Sequence, residues 1–360
     1  MGKLILSILS MACLLISACA KNDKKVLVIA QQGSFAVGGT VIQNSGTFDN
    51  YKFEGWVPSG KGQTYHGDHA VVFYQIPDKA RKLPLVFLHG YGQASRTWGT
   101  TPDGREGFNN IFARRKFSVY LIDQPRRGQA GRGTVEAKIA PVADEQTWFD
   151  IWRMGIWPDF APNVQFPKDK ESLNQFFRQM TPNIGPIDNK IVIDSVSALF
   201  DKIGDGILVT HSAGGSPGWA VRIKNGNVKA IVAYEPGGFP FPADAVPESV
   251  SGKTGTVSPE VVAVEDFNRL MQIPIIIYFG DYIPDEPSAN LGAENWRVRL
   301  AMARKFAEIA KSRGGDVTLV ELPKIGIYGN THFLFAELNN AQLADLLSKW
   351  LKEKGLDNLK

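Results

Sequence analysis

The stretch Ile207-Leu208-Val209-Thr210-His211-Ser212-Ala213-Gly214-Gly215 limits the fold more than any other, because an apolar run meets a hydroxyl side chain and then two glycines with no loop between. Aliphatic and β-branched residues, a small-residue bend and a mixed segment from Ser216 to Lys224 predict strand, sharp turn and helix. A serine at such a bend is held in a strained backbone conformation with its side chain clear of the sheet. The amide that follows it points from a helix N-terminus at any oxyanion. The turn needs small neighbours, and Gly214 and Gly215 provide them on one side. Thr210 is a departure, since the G-x-S-x-G pattern expects glycine two residues before the serine. Threonine suits the strand but leaves the helix less room. Short motifs of this kind also match by chance, so partners elsewhere in the chain must decide its meaning.

The surrounding sequence has an alternating rhythm. Leu83 to Leu88 and Phe117 to Ile122 are nearly continuous apolar runs, ending in His89-Gly90-Tyr91-Gly92 and Asp123-Gln124-Pro125. Runs apolar on both faces suit buried parallel strands. Between them, Gly107 to Arg115 reads as a crossover helix. A helix from Asp188 carries Val192, Val196, Leu199 and Ile203 on one stripe, closes at Gly204 and leads into the strand at Ile207. Strands at Val228 to Tyr234, Ile275 to Phe279 and Val317 to Leu322 follow. They alternate with a helix bearing Val298, Met302, Phe306 and Ile309, and with a last helix bearing Leu343, Leu346, Leu347 and Trp350. Upstream, Gly33 to Gln43 and His69 to Ile76 read as strands. The pattern predicts the α/β class, with one mostly parallel doubly wound sheet rather than two domains. Gly131 to Pro186 breaks the rhythm, being too long for an ordinary connection and rich in Trp148, Phe149, Trp152, Trp157, Phe160, Phe176 and Phe177. We expect a cap whose aromatics pack it to the body first and wall a pocket second.

With 360 residues, 44% hydrophobic and 21% charged, the chain has room for one large α/β domain. A net charge of +4 is modest for this length. The basic runs Arg114-Arg115-Lys116 and Arg126-Arg127 are short, and read as solvated faces or loop anchors rather than a nucleic-acid footprint. Lys3 followed by apolar Leu4 to Ile16 predicts an export signal over residues 1–18, too short to span a bilayer comfortably. Its end, Ile16-Ser17-Ala18-Cys19, resembles the lipobox of bacterial lipoproteins, which would make Cys19 the lipidated N-terminus and the chain's contact with a membrane. Ordinary cleavage after Ala18-Cys19-Ala20, leaving a soluble protein from Lys21, is the alternative. Residues 19–32 then read as linker, and residues 33–360 as the folded domain with its cap insertion at about 131–186. Both cysteines precede this domain, so its core must hold without disulfides.

A serine hydroxyl is a weak nucleophile near neutral pH. It needs a base within hydrogen-bond reach, which itself needs an acid to fix its tautomer. Five histidines are available. His211 adjoins the serine on the strand and should point to the other face, while His89 should brace a turn. His66 and His69 precede the core strands; three apart on a strand, they face opposite sides and share no metal ion. His332, in Gly329-Asn330-Thr331-His332-Phe333, lies between the last strand and the last helix. That loop opens at the sheet edge where the serine emerges, so His332 is the expected base. No metal or cofactor is expected.

These residues resemble the α/β-hydrolase superfamily over nearly all of the chain that follows the signal. His89-Gly90-Tyr91-Gly92 looks like its oxyanion loop, Thr210 to Gly214 like its nucleophile elbow and His332 like its late histidine, in the chain order Ser, acid, His. More narrowly, the chain is similar to secreted bacterial carboxylesterases that carry Gly104-Arg105-Glu106-Gly107, Asp123-Gln124-Pro125-Arg126-Arg127-Gly128 and a glutamate after the sixth strand, here Glu235. The resemblance implies the α/β-hydrolase fold. It also implies hydrolysis of a small-molecule carboxylic ester through an acyl-enzyme, with Ser212 as nucleophile, His332 as base, Glu235 as acid and the Tyr91 and Ala213 amides as oxyanion donors. In most of the superfamily the acid is an aspartate three residues beyond the glycine that ends the seventh strand. In Gly280-Asp281-Tyr282-Ile283 that slot falls on Ile283, which cannot orient an imidazole; Asp281 and Asp285 are rivals to Glu235, both out of register. Two other functions stay open, a lipoprotein that only binds a ligand, and an amidase, peptidase or carbon–carbon hydrolase using the same three residues.

Overall fold

The computed structural model describes residues 26–49 and 60–359; the expected export signal and Cys19 lie outside them. Eight strands make the main sheet: β1 (Ile29–Gln43), β2 (Thr64–Pro77), β3 (Leu85–Leu88), β4 (Val119–Asp123), β5 (Gly206–His211), β6 (Val228–Tyr234), β7 (Ile275–Phe279) and β8 (Val317–Glu321). Their order across the sheet is β1-β2-β4-β3-β5-β6-β7-β8. β2 runs antiparallel to β1 and β4, and all later pairs are parallel. This is the mostly parallel sheet that the alternation predicted, in the arrangement that the α/β-hydrolase resemblance implied.

The apolar runs explain the layering. β3, β5 and β7 are buried along their whole length, as strands covered on both faces must be. Helices α1 (Phe108–Arg114) and α8 (Asn340–Glu353) cover one face, packing Phe108, Phe112, Leu343 and Leu347 against Phe87, Val209 and Val232. Helices α4 (Asn189–Ile203), α5 (Gly215–Lys224), α6 (Val264–Leu270) and α7 (Leu291–Ser312) cover the other, where Val196, Trp219, Phe267 and Phe306 meet Leu208, Ile231 and Ile277. The stripe read on α4 is the buried one. Asp188 caps that helix through the Lys190 amide at 2.9 Å, and Gly204 ends it at a φ of 79°. Such a cap contributes about 1 kcal/mol.

Several boundaries differ from the sequence reading. β1 begins at Ile29, inside the stretch expected to be linker, because its pairing with β2 extends to Ile29 and Pro77. Between β6 and β7, where no element was expected, lie a hairpin (Val250–Gly252 with Gly255–Val257), a parallel pair (Pro240–Pro242 with Glu260–Val262) and α6. Three-residue strands are too short for hydrophobic periodicity to reveal. The insertion contains α2 (Glu145–Ile151), a small hairpin (Gly155–Ile156 with Asp159–Phe160) and α3 (Lys170–Arg178). Among the described residues no helix is long and apolar enough to cross a membrane.

Candidate active site

Ser212 stands at the junction of β5 and α5 with a φ of 53°. A left-handed backbone at a residue other than glycine costs on the order of 1–3 kcal/mol and persists only where the surroundings impose it. Here the amides of Gly215 and Gly237 both donate to the Ser212 carbonyl, the second at 3.0 Å. The missing glycine at position 210 is made good across the turn. A Cβ on Gly218 of α5 would stand 2.6 Å from Thr210 Cγ2, so the helix gives the room that the strand does not. The neighbouring loop has the same economy of space, since a Cβ on Gly90 would lie 2.7 Å from Ser212 Cβ.

That neighbouring loop is braced by buried polar groups. His89 Nδ1 donates to the Gly90 carbonyl at 2.9 Å, and its Nε2 accepts the Gln124 amide at 3.2 Å, which fixes a neutral tautomer. Burial, with the Arg127 charge beside it, pushes the His89 imidazole down to about 4. Arg127 donates to the Gly90 carbonyl at 3.0 Å, and Arg126 grips Asp68 at 2.7 and 2.9 Å. Both arginines are 5% exposed, so the reading of this run as a solvated face is wrong and the loop-anchor reading right. The reason is local, for each guanidinium finds a buried acceptor. Among the described residues, no hydrogen bond outside their own elements engages the amides of Tyr91 and Ala213.

Glu235 directly follows β6 and is fully buried, with a φ of 44°. Its Oε2 lies 2.6 Å from His332 Nδ1, while its Oε1 accepts the Gly280 amide at 2.8 Å and Arg153 Nη2 at 2.5 Å. Asp281 does not reach the imidazole. Its carboxylate accepts the Tyr282 and Gly329 amides, each at 2.7 Å, so it shapes the loop that carries His332. Asp285 is exposed on Arg304, and Ile283 packs against the core.

Residues from distant segments surround His332. Its amide donates to the Trp152 carbonyl at 3.1 Å, and its carbonyl accepts from His211 Nε2 at 3.0 Å. The His211 ring lies 4.4 Å from the His332 ring, so His211 braces His332 instead of facing away from it. Strand alternation fixes a residue's side of the sheet but not which loop folds down beside it. The Trp296 ring covers His332 at 4.0 Å. Glu337, also buried, accepts the Thr331 amide at 2.8 Å and Asn330 Nδ2 at 2.7 Å, and burial pushes its carboxyl up to about 7. For His332 itself, burial and then the Arg153 and Arg299 charges press the imidazole well below the ordinary histidine range, toward the neutral form that a base requires. Its Nε2 is buried and makes no hydrogen bond, so the structure closes the contact to Glu235 but not one to Ser212.

Residues 85–321 match the model of the alpha/beta hydrolase family. The chain belongs to that family. Within it the resemblances are to esterases and lipases. A probable secreted lipase phiG from Fungal sp. (strain ATCC 74256) is 30% identical over 312 residues, covering 78% of this chain and 85% of that protein. A novel bacterial esterase of known structure superposes with a TM-score of 0.71 at 28% identity, over 92% of this chain and 98% of the other. A dienelactone hydrolase from Anabaena variabilis ATCC 29413 gives only 0.42 at 13% identity, over 92% and 100%.

The sequence reading of this hydrolase missed the groups that hold His332 and its loop. Arg105 donates to the Glu337 carbonyl and to Asn340 Oδ1, both at 2.9 Å, which ties the Gly104 to Gly107 segment to the chain just after His332. Arg153 was also missed. A lone arginine between Trp152 and Met154 in an aromatic run was the available signal, because a buried guanidinium requires a buried acceptor. The insertion's aromatics do pack it to the body, with Trp152 and Phe176 edge-on to Phe333 at 4.9 and 4.8 Å. A cavity of about 480 Å³ lies beside them, walled by Arg153, Ile156, Trp157, Phe160 and Tyr282.

Proposed function

We propose that this hydrolase cleaves carboxylic esters through an acyl-enzyme, with Ser212 as nucleophile, His332 as base and Glu235 as acid. The observation that carries this reading is the 2.6 Å contact between Glu235 Oε2 and His332 Nδ1, in a hydrolase whose strained elbow presents a serine. Nδ1–H directed at the carboxylate leaves the lone pair on Nε2 to take the hydroxyl proton as Ser212 Oγ attacks the ester carbonyl. The Tyr91 and Ala213 amides receive the negative oxygen of the tetrahedral intermediate. Its collapse breaks the bond to the alcohol, which leaves with the proton held by His332. Water then adds to the acyl group with His332 again as base, releasing the acid and restoring Ser212. The relatives described as an esterase and a lipase favour ester over amide bonds.

Turnover of p-nitrophenyl acetate, together with labelling of Ser212 by a fluorophosphonate, tests the proposal. Absence of both would point to a ligand-binding protein, and faster turnover of matched amides to an amidase. We also propose that residues 1–18 direct export and that Cys19 carries lipid, which agrees with the description of the 30%-identical relative as secreted. Loss of a membrane-bound fraction in Cys19→Ser is the expected result; an unchanged distribution would favour simple secretion.

A further inference from the structure

We propose that Arg153, supplied by the insertion, is a positioning residue for ester cleavage: it locks the Glu235 carboxylate so that one oxygen alone serves His332. The inference rests on the Ser-His-Glu reading above and extends it to a residue bonded to the Glu235 carboxylate and not to the imidazole.

A glutamate side chain has a broad terminal torsion, so two equivalent oxygens would otherwise compete for one Nδ1–H. Arg153 Nη2 at 2.5 Å and the Gly280 amide at 2.8 Å both take Oε1, which leaves Oε2 for His332. The carboxylate is fully buried, where a charge-assisted partner offsets the loss of water. The guanidinium, 1% exposed, is that partner. Its own aim is fixed on three sides. Nε donates to the Asp281 carbonyl at 2.9 Å, its plane lies 5.2 Å from the Trp296 ring centre, and its backbone adopts a φ of 64°. Nη1 is left buried without a partner. A side chain serving only to fill space would not keep a left-handed backbone and an orphaned donor.

The other groups around the pair do not replace it. Arg299 on α7 is turned to Asn295 at 2.6 and 2.7 Å, and Asp281 is occupied by backbone amides. His211 is bonded to the His332 carbonyl and burial holds it neutral, while Glu337 adds negative charge near Glu235 whenever it ionises. Arg153 is the cation in contact with the acid. Without it the imidazole would lose a repelling charge and bind protons more readily.

Ester turnover by the full chain as Arg153→Met and Arg153→Lys, followed from about pH 5 to 9, tests this. For Arg153→Met we expect kcat to fall by about ten- to a hundredfold with KM nearly unchanged, and the acid limb of kcat/KM to move up by about one pH unit. Arg153→Lys should restore the limb and part of kcat. In a Glu235→Gln background, Arg153→Met should cost less than about threefold, since the two act as one unit. An unmoved acid limb, or losses that multiply in the double variant, would overturn the proposal. If Arg153→Met fails to fold, Arg153→Gln takes its place: lacking the charge, it should move the acid limb up as the methionine would, and an unmoved limb overturns the proposal. If wild type and Ser212→Ala hydrolyse ester equally, the fault lies with the Ser-His-Glu reading and not with Arg153.

Discussion

The serine and the histidine of this hydrolase are held in place in opposite ways. Ser212 owes its conformation mainly to its own neighbourhood, with Gly215 bonded to its carbonyl and Gly218 making room for Thr210. His332 is fixed by Trp152 and Trp296, by Glu235 from another strand and by His211. Ser212 is therefore mainly a local product of the chain, and His332 a tertiary one. Changes near the serine should act on chemistry or on one turn, whereas changes near the histidine should spread.

The largest effect should come from the nucleophile. Ser212→Ala should lower ester turnover by on the order of 10⁴-fold or more, and Ser212→Gly should also raise the melting temperature, since glycine adopts a positive φ without strain. A melting temperature lowered by Ser212→Gly would contradict the local account of the elbow. The two candidate acids sharpen the tertiary side. Glu235→Gln should cost about 10³- to 10⁴-fold in kcat, while Asp281→Asn, which keeps an acceptor for the loop amides, should cost about tenfold or less. A larger loss from Asp281→Asn would transfer the acid's role.

Acidity probes the buried histidines together. Burial depresses His89 to about 4, and His211 and His332 also lie below their ordinary value, so the unfolded chain binds more protons than the folded one as pH falls below about 6.5. Their stabilisation is complete above that value and is lost on acidification. His89 alone accounts for on the order of 3 kcal/mol by pH 4. Urea midpoints should drop between pH 7 and 5, and a flat profile would mean that these rings are not buried neutral. Ester turnover should fall over a lower range, because His332 must protonate first.

The smallest effect belongs to the helix beside the elbow. Gly218→Ala should destabilise by about 1–3 kcal/mol through contact with Thr210. Adding Thr210→Gly should recover part of that loss. Strict additivity of the two in thermal melts would show that these positions do not meet.

The same contrast explains what the sequence made legible. Ser212 lies in a contiguous motif, and β6 and β7 were readable because buried parallel strands are written as apolar runs. His332 followed from chain order once the elbow was recognised. Glu235 rested on the family resemblance, with Asp281 left as its rival. Arg153 had no comparable trace, for its partner is 82 positions away and no periodicity links two buried charges. Arg126 and Arg127 stayed open between solvated face and loop anchor because a run of arginines has the same composition in either place. The short elements between β6 and β7 left too few residues for a pattern.

The insertion reaches His332 through Trp152, Glu235 through Arg153 and the loop before His332 through Gln165, whose amide donates to the Gly329 carbonyl at 2.7 Å. It is a roof riveted to the engine beneath it. Excising residues 131–186 to admit bulkier esters would therefore yield an inert protein rather than a more tolerant one. Substrate range in such a molecule is adjusted by exchanging wall side chains one at a time, with the frame left standing.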